Sequence, residues 1–300
     1  MEIMPLWVAI TLGAAFAQNL RSILQKRLTG RLSVGGATFS RFLFATPFAA
    51  FYVGALTQYG AALPSPTPGF WATAVLGGVG QIIGTFLLVG LFKRRNFAVG
   101  NAFSKTETIQ AAFIGLIILG EALSGQAMMA IAIGFGGILA LTIPSGPVGE
   151  ILSKMDGRAA LMGLGSGAGF GVAAVCYRSS ALSLEGTGFV MQAAFTLMMV
   201  VMIQTLIMGA YLLAREKGEI TRVIRAWRST AMVSLVGVVS SIGWFTAMAI
   251  ENAALVRAVG QIELVFSILT AALFFKEKIT AREIVGISLV ALSVVLIVLK

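Results

Sequence analysis

The chain of 300 residues is 58% apolar and only 11% charged, with a mean hydropathy of +0.93, against roughly 25% charged residues in soluble domains. Those values exclude a soluble globular protein, and the Lys and Arg behind the net charge of +10 cluster between apolar stretches, a topology signal rather than a nucleic-acid surface. With no His, one Cys (Cys176) and one Asp (Asp156), there is no material for His/Cys zinc sites, Ser-His-Asp triads, Cys-His pairs or an internal disulfide.

A bilayer-spanning helix needs about 20 mostly apolar residues. The opening MEIMPLWVAITLGAAFAQNL lacks the basic segment and cleavage site of a secretory signal and reads directly into a first helix over 5–26. Further helices are predicted over 34–57, 69–92, 97–119 and 125–143, then over 159–182, 187–213, 230–249, 255–275 and 280–299. PSPTPG, KRRN and PSGPVGEILSKMDGR interrupt the series after the second, third and fifth helices, because none of them continues an apolar helix. The expected fold is an all-α integral membrane protein of ten transmembrane helices in two five-helix units, 1–143 and 159–300, joined by a cytoplasmic linker, 144–158.

The two units resemble each other. A shift of 156 residues places Asn96 on Asn252, Glu107 on Glu263 and Glu121 on Glu277. Because five is odd, the second copy enters the membrane from the opposite side. Charge gives an independent check: 16 of the 22 basic residues, including Lys93–Arg95 and the five from Arg215 to Arg228, fall in the loops after odd-numbered helices. The positive-inside rule makes those loops cytoplasmic and puts both termini outside. Inverted repeats of this kind recur in secondary transporters, with the substrate at the repeat interface near mid-membrane.

Charges within spans cost roughly 2.5–3.5 kcal/mol on insertion scales and usually face a cavity or a partner. Glu107 and Glu263 occupy matching depths in the fourth and ninth helices. Helical spacing groups Ser104, Glu107, Thr108 and Ala111 on one face, and Gly260, Glu263, Ser267 and Thr270 on the other helix. Each Glu either lines a cavity or pairs with a neighbouring Arg to hold the bundle, and Arg257 or Arg41 is a candidate partner for Glu263. Glu107 is the stronger candidate for substrate contact or a coupling proton, since an ionised carboxylate at that depth is hard to stabilise unless a cation pairs with it. Lys105, two residues from Glu107, points away from it and needs its own partner or a route for snorkelling, an anionic substrate group being one such partner. Arg21, Arg41 and Arg257 are read as snorkelling to the interface.

Asn19, Gln81, Asn101, Gln110, Tyr177 and Trp244 complete the expected lining, with Gln192 a weaker member. Gly163, Gly167 and Gly171, like Gly80 and Gly84, are spaced for close helix packing. No GxGxxG follows a strand and no Walker motif occurs, so no nucleotide, cofactor or metal is assigned.

LGEALSGQAMMAIAIGFGGILAL and FKEKITAREIVGISLVALSVVLIVL resemble the paired carboxy-terminal signature of EamA-type transporters in the drug/metabolite transporter superfamily. The resemblance covers nearly the whole chain. It implies a ten-helix carrier of amino acids, related metabolites or drugs, commonly an exporter of the bacterial inner membrane. The family's loop acid falls on Glu121 and Glu277, read as helix-junction residues. Expected partners are a small-molecule substrate, the bilayer and a coupling proton, with no nucleic acid; monomer and homodimer stay open. A channel would call for rings of like residues or a repeated pore loop, neither of which is visible. A membrane enzyme would have only Glu, Lys, Tyr and Ser to work with, and a scaffold without transport activity is the remaining alternative.

Overall fold

The computed structural model describes residues 4–28, 30–91, 103–142, 157–266, 268–269 and 280–299. Every regular element among them is a helix: α1 (Leu6–Leu28), α2 (Val34–Phe39), α3 (Ala45–Gln58), α4 (Pro68–Leu91), α5 (Glu107–Leu119), α6 (Gly125–Thr142), α7 (Gly157–Leu182), α8 (Phe189–Arg215), α9 (Glu219–Arg225), α10 (Trp227–Ile250), α11 (Ala253–Gly260) and α12 (Ala281–Val298). Six of these, α4, α6, α7, α8, α10 and α12, are long and apolar enough to cross a membrane. Large apolar side chains face outward along the bundle, with Ile117 81% and Phe51 78% exposed. A hydrocarbon solvent accepts such a surface at no cost.

The single helix expected over 34–57 is two helices. Pro47 lacks the N–H that would reach the Leu43 carbonyl, and its ring collides with that carbonyl, so α3 restarts at Ala45 after a turn. Inside a membrane the released carbonyls need other donors. The Ser234 hydroxyl donates to Ser40 O (2.7 Å) and the Thr205 hydroxyl lies 3.0 Å from Phe42 O. The turn leaves Arg41 buried.

The fourth and ninth predicted helices are also interrupted, each immediately before its Glu. Residues 103–104 are helical, Lys105–Thr106 form a turn and α5 begins at Glu107; α11 ends at Gly260, Gln261–Ile262 form a turn and helical backbone resumes at Glu263. The two turns coincide under the 156-residue shift. In the first, the Thr106 hydroxyl bonds Phe103 O at 2.6 Å, competing with the helical ladder. The short α9, between the seventh and eighth predicted spans, was not anticipated from hydropathy, because its seven residues carry three charges.

Helices of one half pack against helices of the other. α1 lies along α10 and α4 along α7, while α11 meets α1 and α5 meets α7; α6 pairs with α12 and α3 with α8. Exchanging the halves maps each of these pairings onto another or onto itself. The α4–α7 approach depends on small residues: a Cβ on Gly169 would stand 2.5 Å from Gly80 O, so only glycine allows the two backbones this close.

Candidate functional site

Where α1, α4, α5, α7, α10 and α11 converge they enclose a cavity of about 390 Å³. Asn19, Gln81, Ser104, Lys105, Glu107, Tyr177, Trp244 and Glu263 all line it. Gln110 does not. Its Nε2 donates to Thr106 Oγ1 at 2.7 Å on the side facing Leu164 of α7, so that amide joins helices rather than facing the cavity. Asn101, Ser267, Thr270 and Glu277 lie outside the described residues.

The two carboxylates are held across the halves. Glu107 Oε2 lies 2.6 Å from Arg257 Nη2, and Glu107 Oε1 accepts from Gln261 Nε2 at 3.1 Å. Glu263 pairs with Lys105 Nζ and accepts from Gln18 Nε2 at 2.5 Å. Lys105 and Gln261 are equivalent under the shift, so each Glu is held by the residue two positions before the other. Glu107 thus has the neighbouring Arg that the sequence reading allowed, and Lys105 has a partner of its own in Glu263; the difference is that, among the described residues, neither Arg257 nor Arg41 forms an ion pair with Glu263. Each of these pairings joins one half to the other, and helical spacing describes only neighbours within one helix.

Arg257 also lies 4.7 Å from the Trp244 ring centroid, so a carboxylate and an aromatic face share its charge. Trp244 can adopt this position because Gly260 has no side chain; a Cβ there would fall 2.1 Å from the indole. The indole Nε1 is buried without a hydrogen-bond partner among the described residues.

Arg21 and Arg41 line the same cavity and are 7% and 9% exposed, so neither snorkels. Arg21 Nη1 donates to Gln25 Oε1 (2.6 Å), whose Nε2 continues to Ala37 O (2.9 Å). Arg41 Nη1 donates to Thr85 Oγ1 (3.1 Å). Tyr177, stacked on Phe245 at 4.4 Å, places its hydroxyl 3.1 Å from Gln81 Oε1, which also accepts from Gln204 Nε2 at 2.8 Å. The neutral polar wall is therefore fixed in orientation. The charged lining, Arg21, Arg41, Lys105 and Arg257 against Glu107 and Glu263, has two more cations than anions.

Two polar contacts bind segments outside the cavity. At the end of α5, Glu121 accepts from Arg178 (Nε–Oε1 2.8 Å) and from Asn252 Nδ2 (2.8 Å), while Arg178 Nη1 donates to Met248 O and Glu251 O. This contact joins α5, α7, α10 and α11. At the opposite end of those helices, Ser33 N donates to Glu219 Oε1 (2.6 Å) and the Ser33 hydroxyl pairs with Glu216, placing two carboxylates at the start of α2, where the helix dipole favours them.

Sequence reasoning missed Arg21, Arg41 and Arg257 as lining residues because depth along a straight span placed them near the interfaces. The available signal was the shift itself, which aligns Arg257 with Asn101 and Arg21 with Tyr177, both on the expected lining.

Two segments, residues 5–143 and 157–299, each match the model of the EamA-like transporter family. No curated protein matches. A solved structure described only as the crystal structure of a protein superposes with a TM-score of 0.70 at 13% identity, over 98% of this chain and 97% of that one. At that identity the likeness is one of fold alone.

Proposed function

Because the chain belongs to the EamA-like transporter family, we propose that it is a secondary transporter that moves small polar metabolites, such as amino acids or drugs, through the cavity by alternating access. The observation that carries this reading is the position of the two Glu. Each sits at the turn of an interrupted helix and is held by a cation or amide from the other half. Interrupted helices place charged groups and freed backbone at the substrate in other inverted-repeat carriers, and rocking one half against the other has to break and remake these pairs.

The architecture that goes with the proposal is ten spans in two inverted repeats, 1–143 and 159–300, with the linker 144–158 cytoplasmic and both termini outside. The doubled family match and the exchange-invariant helix pairings support it. The basic loops give the orientation. Export across the inner membrane is the direction that the family resemblance favours. A carboxylate released from Arg257 or Lys105 during the cycle is free to take a proton, which makes Glu107, and secondarily Glu263, the proposed coupling group.

Purified protein in liposomes, supplied with a labelled panel of small polar metabolites that includes amino acids and organic anions, with and without a pH gradient, tests the reading through whichever member it carries. Saturable accumulation that collapses with the gradient is expected. Unsaturable flux or steady single-channel current contradicts a carrier.

A further inference from the structure

We infer that the transported molecule is a net-anionic organic compound whose carboxylate or phosphate sits on Arg21 and Arg41, with its apolar body against Trp244, Tyr177 and Phe245. The inference rests on the transporter reading and narrows the substrate of that same cavity.

Both guanidiniums are buried, and among the described residues neither has a carboxylate within salt-bridge distance; they bond Gln25 and Thr85 instead. Both side chains line the same cavity, where Lys105 and Arg257 add two further cations against the two carboxylates. Each guanidinium has five N–H donors in a fixed fork suited to an oxyanion. The protein uses one donor of Arg41 in a hydrogen bond, to Thr85, and the Arg41 side chain lines the cavity. Burying charge without a counter-charge is costly, and an anion entering the cavity relieves that cost for both groups at once.

The same accounting disfavours an ammonium group. Glu107 and Glu263 are the only carboxylates on the described lining, and both are already held by Arg257 and Lys105. A cationic or zwitterionic ligand would have to displace an intramolecular cation from a 2.6 Å pair. The aromatic wall fits a flat body: Tyr177 and Phe245 are stacked, Trp244 lines the same cavity, and its buried indole N–H has no hydrogen-bond partner among the described residues.

A matched probe series on one body tests the inference: phenylacetate, phenyl phosphate, phenethylamine, 2-phenylethanol and phenylalanine. Each is measured by thermal stabilisation of the purified protein and by counterflow in proteoliposomes. Saturable stabilisation by phenylacetate or phenyl phosphate, and by neither the amine nor the alcohol, is expected; the better of the two anions identifies carboxylate or phosphate as the ligand group. Arg41→Gln and Arg21→Gln should each weaken that anion about tenfold or more, the loss of one charge-assisted hydrogen bond, with Arg41→Lys recovering part of it. The inference is overturned if phenethylamine or phenylalanine binds as well as the anions, if no anion binds, or if both Gln variants fold and keep wild-type anion affinity. Carriage of phenylalanine without any anion sinks the inference and leaves the transporter reading standing. Arginine-dependent anion binding without counterflow by any probe keeps the site and removes the transporter reading.

Discussion

Glu107 Oε2 lies 2.6 Å from Arg257 Nη2, and the equivalent carboxylate, Glu263, is held by Lys105, so two ion pairs cross between the halves in opposite senses. Removing one partner of such a buried pair leaves a charge without compensation, at about 3–5 kcal/mol, whereas removing both is often nearly neutral. Glu107→Gln alone should therefore lower the melting temperature clearly, and Glu107→Gln with Arg257→Gln should recover most of the loss. A double variant that melts no higher than the worse single variant would mean that the two residues are not coupled.

Arg178 gathers four acceptors, both Glu121 oxygens and the carbonyls of Met248 and Glu251. Arg178→Lys keeps the charge but cannot present the planar fork, so it should cost about 1.5–3 kcal/mol, the value of a hydrogen bond to a charged group. Calorimetry in detergent reads this. An unchanged melting temperature would show the junction to be dispensable.

Gly260→Ala puts a methyl where the Trp244 ring lies, 2.1 Å from the indole. Overpacking typically costs about 1–3 kcal/mol, and here the displaced ring is also the face on which Arg257 rests. The variant should melt earlier and transport more slowly. Gly13→Ala, with no heavy atom within 4 Å of the added Cβ, is the control that should leave both unchanged.

Orientation follows from the basic loops. In a Cys176→Ser background, cysteines at the exposed positions Ser65 and Arg225 should label differently in intact cells, Ser65 with an impermeant maleimide and Arg225 not. The reverse pattern would invert the assignment of the termini and leave the helix packing untouched.

The spans were legible because hydropathy is additive along a helix: α4, α6, α7, α8, α10 and α12 begin and end within three residues of their predicted limits. Glu107 and Glu263 were legible because a charge deep in an apolar run has few explanations. The helix interruptions were not, since hydropathy does not register a turn, although Pro47 marked the one in the second span. The partners of the two Glu were hidden for a different reason. Pairing across halves depends on how two distant segments meet, and helical spacing describes only neighbours within one segment. Arg21 and Arg41 were misread because distance along the chain was taken for depth; the Ser40–Phe44 turn, with freed carbonyls bonded by Ser234 and Thr205, accompanies an Arg41 side chain that lines the cavity.

Alternating access requires one cavity to serve both sides of the membrane in turn, and Ser241, on the cavity wall, is placed to report it. With Ser241→Cys in the Cys176→Ser background, reconstituted in one orientation, a small charged thiol reagent is added to either face and labelling and transport are followed together. Labelling from both faces, each blocking transport, is the predicted result. Labelling from one face only, or full labelling with undiminished transport, would contradict alternating access through this cavity.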